Sequence, residues 1–104
     1  MTSKRRMAPH ERRDAIMAVA VDLARVNGYN KITRDAIADQ AGVSMGLVTR
    51  YFGTMNQLRR AIMRHAIDGG VVEIVAQGLA IGDEHAKKAS PELKQQASNF
   101  LINS

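Results

Sequence analysis

A chain of 104 residues is one domain by length, and it can bury about 60–70% of the surface its unfolded form exposes. It has no cysteine, which excludes disulfides and cysteine-based zinc sites and is compatible with a reducing cytoplasm. The net charge of +5 is uneven: residues 1–64 hold twelve Lys/Arg against five Asp/Glu (+7), whereas residues 65–104 hold three against five (−2). Positive charge therefore travels with one half, as it would in a nucleic-acid-binding unit, although a merely solvated surface has the same balance. No apolar run approaches a membrane span, and no signal-peptide pattern opens the chain.

Residues 1–8 form a basic arm with Lys4, Arg5 and Arg6, expected to be disordered when free. Its cations either follow phosphates and enter a minor groove, as N-terminal arms do, or serve only as a solubilising tail. Pro9 suits the first turn of a helix, where its missing N–H costs nothing. That helix runs to about Asn27, with Ile16, Val19, Ala20 and Leu23 as its core stripe and Gly28 as its end. Arg12 and Arg13 near its start are within reach of phosphate.

The next stretch carries the main signal. Thr33 is an N-cap, and Asp35 sits near the positive end of the helix that follows. Ile37, Ala38 and Ala41 fall three and four apart and make one apolar stripe. Gly42 stands where a left-handed residue is wanted, Val43 plugs the corner, and Ser44 caps a second short helix that runs to about Tyr51. Two short helices joined by so tight a turn form a helix-turn-helix, whose second helix can lie in the major groove. Val43, Val48 and Phe52 are expected to face the core. Met45, Gly46, Leu47, Thr49 and Arg50 are expected to face outward. Gly46 permits close approach, Arg50 offers a cation, and Met45 and Leu47 suit a thymine methyl or a partner interface.

Gly28-Tyr29, Thr33, Ile37-Ala38, Ala41-Gly42-Val43-Ser44, Gly46 and Tyr51-Phe52 resemble, in order and spacing, the DNA-binding domain of the TetR-type transcriptional regulators. The resemblance covers roughly residues 12–66. It implies an all-α fold with a three-helix DNA-binding bundle, and double-stranded DNA as partner. It places Thr33, Arg34, Ser44, Met45, Gly46, Leu47, Thr49, Arg50 and Tyr51 at the DNA, with Arg5 and Arg6 of the arm. Three positions depart from the pattern. Ala24 stands where a large aromatic is usual, Thr49 where a tyrosine touches phosphate, and Met55 where a lysine is usual.

Thr54-Met55-Asn56-Gln57 is a capping box that starts a fourth helix with Leu58, Ala61, Ile62 and Ala66 inward. Arg59, Arg60 and Arg64 lie elsewhere on that helix, as solvated charges that add long-range attraction. Asp68-Gly69-Gly70 is a break. Residues 71–81 are then the most apolar stretch, more than one exposed helix face can carry. Either a second copy covers it, with Val71, Ile74, Val75, Leu79 and Phe100 at a dimer interface, or the last helix folds back over it through Leu93, Phe100 and Leu101. Ser90-Pro91-Glu92 starts that last helix, which runs to about Leu101.

Catalysis has little support, because His10, His65 and His85 are dispersed and neither a nucleophile motif nor a phosphate-cradling loop is present. No cofactor or metal is expected. The expected organisation is an arm at residues 1–8, a DNA-binding domain at 9–66 and a short dimerisation region of two or three helices at 67–104. The expected function is a homodimeric repressor on a palindromic operator. With two or three helices after residue 66, a small-molecule inducer is not expected. The rival readings are an architectural or segregation protein without promoter control, and a protein-interaction module with a degenerate helix-turn-helix.

Overall fold

The computed structural model describes residues 8–103, and Arg5 and Arg6 lie outside them. Seven helices and no strand are found among the described residues: α1 (Pro9–Asn27), α2 (Arg34–Ala41), α3 (Met45–Phe52), α4 (Met55–Gly69), α5 (Val72–Ile81), α6 (Glu84–Lys87) and α7 (Pro91–Asn103). The capping box at α4 is formed on both sides: the Gln57 N–H donates to Thr54 Oγ1 at 3.1 Å, and the Thr54 N–H to Gln57 Oε1 at 2.8 Å. Gly70 ends α4 in the left-handed region, at the expected break. Ser90 caps α7 through the Leu93 N–H at 3.2 Å. The short helix α6 is started by Asp83, whose Oδ1 accepts the N–H groups of His85 at 2.8 Å and Ala86 at 3.0 Å.

The first four helices form the bundle that presents the helix-turn-helix: α1 packs on α2 and α4, and α3 on α2 and α4. Ile16, Ala20, Ile37, Val48, Leu58 and Ile62 are buried in it. Met17, Val21 and Ala24 join the core of α1, so its buried face is wider than the sequence stripe indicates. Val19 and Leu23 are only partly covered.

α5 packs against α1, α4, α6 and α7, so one contiguous core runs from Ile16 to Ala97. Its approach to α4 and α6 depends on Gly78. A Cβ there would stand 2.5 Å from Met63 Cε and 2.8 Å from Ala86 Cβ, closer than carbon atoms pack. Of the two alternatives for the apolar stretch, the chain itself covers most of it. α7 lies on α5, and Ile74 and Val75 have no exposed surface.

Polar groups join the two halves. Arg25 Nη2 meets Glu73 Oε2 at 3.0 Å on the surface. Beneath it, Gln77 Nε2 donates to the Ala24 carbonyl at 2.9 Å, and Gln77 Oε1 accepts the Tyr29 N–H at 2.8 Å. Ala24, where the resemblance leads one to expect a large aromatic, is fully buried, and α5 reaches its carbonyl through Gln77. Tyr29 is buried too, and its hydroxyl donates to Asp83 Oδ2 at 2.7 Å. Burial, together with the hydrogen bond to Asp83, raises the Tyr29 hydroxyl above its ordinary range. Burial pushes the Asp83 carboxyl up, but the Tyr29 hydroxyl and the N–H groups of Ala86 and His85 outweigh it and hold it below its ordinary value.

The carboxylate therefore stabilises the fold above the unfolded-state value near pH 4, and that stability is lost as pH falls through the lower folded-state value. The neutral tyrosine contributes below about pH 10 and loses its contribution as pH rises further. Tyr29→Phe should cost about 1–2 kcal/mol at neutral pH, since Asp83 is partly solvated. Urea unfolding at neutral pH and again below pH 3 tests this: the deficit should shrink in acid, and one equal at both pH values would assign it to packing instead.

Candidate nucleic-acid interface

Three local devices fix the angle between α2 and α3. Thr33 Oγ1 accepts the Ala36 N–H at 3.1 Å and starts α2. Gly42 takes φ 68° and ψ 36°, a left-handed conformation that a side chain would strain. Its N–H reaches the Asp39 carbonyl at 3.2 Å, and the Val43 N–H reaches that of Ala38 at 3.0 Å, the double bond of a Schellman turn. Ser44 Oγ then accepts the Leu47 N–H at 3.1 Å and starts α3. In both caps the oxygen is engaged but the hydroxyl proton is not, and both residues are exposed, so each can still donate outward.

α3 has two faces. Val48 and Phe52 are buried and anchor it to α2 and α4. Met45, Gly46, Thr49 and Arg50 are exposed, with Met45 at 50%. A side chain at Gly46 would meet only Ser44 Oγ, at 3.8 Å, so nothing inside the chain requires glycine there. Since glycine inside a helix costs about 1 kcal/mol, its use at an exposed position suits close approach from outside.

Two expected contacts look different in three dimensions. Leu47 is half-buried and packs against the core, so only part of it faces outward. Thr49 Oγ1 lies 3.2 Å from the Met45 carbonyl and donates to its own helix, leaving only acceptor capacity for a partner. Met55, at the other departure from the resemblance, is half-buried against the core.

The charge of this face is carried by few groups. α3 contains no acid, and Arg50 is its single cation. Arg34, in the first turn of α2, is half-buried with its Nε unpartnered. Tyr51 is half-buried, and its ring lies 6.5 Å from that of Phe52. Arg13, read from the sequence as a free cation near the start of α1, sits with its guanidinium 4.8 Å from the centre of the Phe52 ring. Residue spacing gave no sign of that stack, because it joins α1 to α3.

The residues expected at a dimer interface separate. Ile74 and Val75 are fully buried within the chain and have no area left for a partner, because α7 turns Leu93 and Ala97 inward over α5. Val71 and Leu79 are half-buried against the same core. Phe100 stays 42% exposed, beside Leu101 and Ile102 at the end of α7.

Ser44→Ala should cost about 1 kcal/mol of stability through the lost cap of α3. Thermal unfolding tests it, and an unchanged midpoint would show that the cap does not hold α3 in place.

Residues 16–62 match the family model described as bacterial regulatory proteins, tetR family, a span that starts within α1 and ends within α4. No curated protein and no solved structure matches the chain. Among the described residues no helix is long and apolar enough to cross a membrane, and no three metal-binding side chains cluster. The family match falls on the segment that folds into the α2–α3 corner, so residues 16–62 carry a DNA-binding domain of the TetR type, which supports a DNA-binding transcriptional regulator.

Proposed function

We propose that the chain represses transcription as a homodimer, by occupying a palindromic operator and excluding RNA polymerase. The observation that carries this reading is the division of α3: one face is anchored by Val48 and Phe52, and the other holds Met45, Gly46, Thr49 and Arg50 in solvent. A helix held rigidly from behind and bare in front suits insertion into a major groove. Arg50 meets guanine or phosphate in this reading, while Met45 and the exposed part of Leu47 suit a thymine methyl. In the same reading Thr33, Ser44 and Arg34 hold the flanking phosphates, with Tyr51 at the far end of α3.

One helix-turn-helix covers too few base pairs to discriminate against competing sites, which argues for two copies about 34–36 Å apart, or a multiple of one DNA turn. The apolar surface left by the chain favours α7 as the contact. Phe100, Leu101 and Ile102, consecutive at the end of α7, are 42%, 41% and 78% exposed. An isologous contact would cover such a patch on both subunits.

Sequencing the DNA fragments bound in cells tests the function. Inverted repeats overlapping promoters are expected, whereas tandem arrays remote from promoters would replace repression with an architectural role. Arg50→Ala should weaken operator binding by about 1–3 kcal/mol if it reads a base. Unchanged affinity in the folded variant would remove Arg50 from the interface. For the dimer, Phe100→Glu with Ile102→Glu should yield folded monomers that have lost operator binding. The dimer fails if ultracentrifugation finds the unmodified protein monomeric at micromolar concentration, both free and on its operator.

A further inference from the structure

A groove runs between α1 and α4 and begins at the end of α3. At its lower end a cleft of about 380 Å³ is lined by Arg13, Arg60 and Arg64 together with Phe52, Gly53 and Gln57. It adjoins a second cleft of about 220 Å³, which shares Arg13, Ala61 and Arg64 and continues to His65 and Asp68. Arg60 and Arg64 are four residues apart on α4, so they stand one turn above each other on the same face. Two like charges at that spacing repel, and Arg13 on the opposite wall adds a third. Among the described residues none of the three has an ion-pair partner. Asp68 lines only the far cleft and pairs with none of them.

We propose that this groove is a binding site for a phosphate group, gripped by Arg60 and Arg64 with Arg13 on the facing wall. Guanidinium forks match phosphate oxygens two at a time, and a bound phosphate anion converts the repulsion between the cations into shared attraction. Arg13 is already braced for the task, since the Phe52 ring supports its guanidinium from one side and leaves its N–H edge to point elsewhere. The larger cleft is within the range of small-ligand sites, and it lies in the DNA-binding unit rather than in the C-terminal helices. The phosphate belongs either to a small diffusible ligand or to the DNA strand just beyond the half-site, because both present charged, unesterified phosphate oxygens to a guanidinium.

The test follows backbone amide shifts of the full chain by NMR in two arms, with pyrophosphate and with a random-sequence DNA duplex, at constant ionic strength. Pyrophosphate should shift the Gly53, Ala61 and Arg64 amides saturably, and Arg60→Gln with Arg64→Gln should weaken that binding at least tenfold. Both positions are exposed, so the variant should keep its helical circular dichroism. If the duplex shifts Ala61 and Arg64, the double variant abolishes those shifts, and pyrophosphate has no effect, the phosphate is that of flanking DNA. The site does not exist if neither probe moves these amides saturably, or if the double variant responds as the unmodified chain does. The pyrophosphate arm contains no DNA, so its outcome is independent of operator recognition.

Discussion

A helix as apolar as α5 has to be covered on nearly every side, and its coverage decides where the other helices stand. Glu73 and Gln77 are its only polar side chains, and they lie four residues apart, on one face. Both are directed at α1: Glu73 takes Arg25, and Gln77 takes the Ala24 carbonyl and the Tyr29 amide. Most of the remaining surface goes to α4, α6 and α7, with Gly78 setting how closely α4 and α6 approach. The bundle that carries the helix-turn-helix is thus fixed from behind by a helix that contacts no part of the recognition face itself.

Features that depend on a few neighbouring residues were legible in the sequence. Thr33, Gly42, Ser44 and Thr54 each perform a local task, satisfying an amide or turning the chain, and each does so where the spacing placed it. Features that depend on what a side chain meets were not. Ile74 and Val75 form an apolar stripe whether a second copy or α7 covers them, and only the packing of α7 decides. Leu47 is on the outer half of α3 by helical spacing, yet it leans on the core. Gln77 gave no local signal, and Asp83 only that of a helix cap, since their tertiary partners lie 48 to 54 residues away at Ala24 and Tyr29.

The recognition helix also differs in character from what its spacing suggests. Thr49 spends its hydroxyl proton within the helix, Leu47 is partly withdrawn, and Met45 stands out at 50% exposure. The outer face of α3 is therefore sparse in hydrogen-bond donors other than the Arg50 guanidinium. In the proposed role, such a face would distinguish sequences through a few strong contacts and through shape, rather than through a dense array of base-edge bonds.

Tyr29 stands in the connection between α1 and α2, yet its two polar ends are held by Gln77 and Asp83, from the other half of the chain. When α5 and α6 detach, a buried ring and the carbonyl of Ala24 lose their partners at once, so the N-terminal bundle is destabilised with them. Opening of either half thereby raises the free energy of the other, which couples the two. Amides in the first helix and in α5 are then expected to exchange with solvent through a common opening.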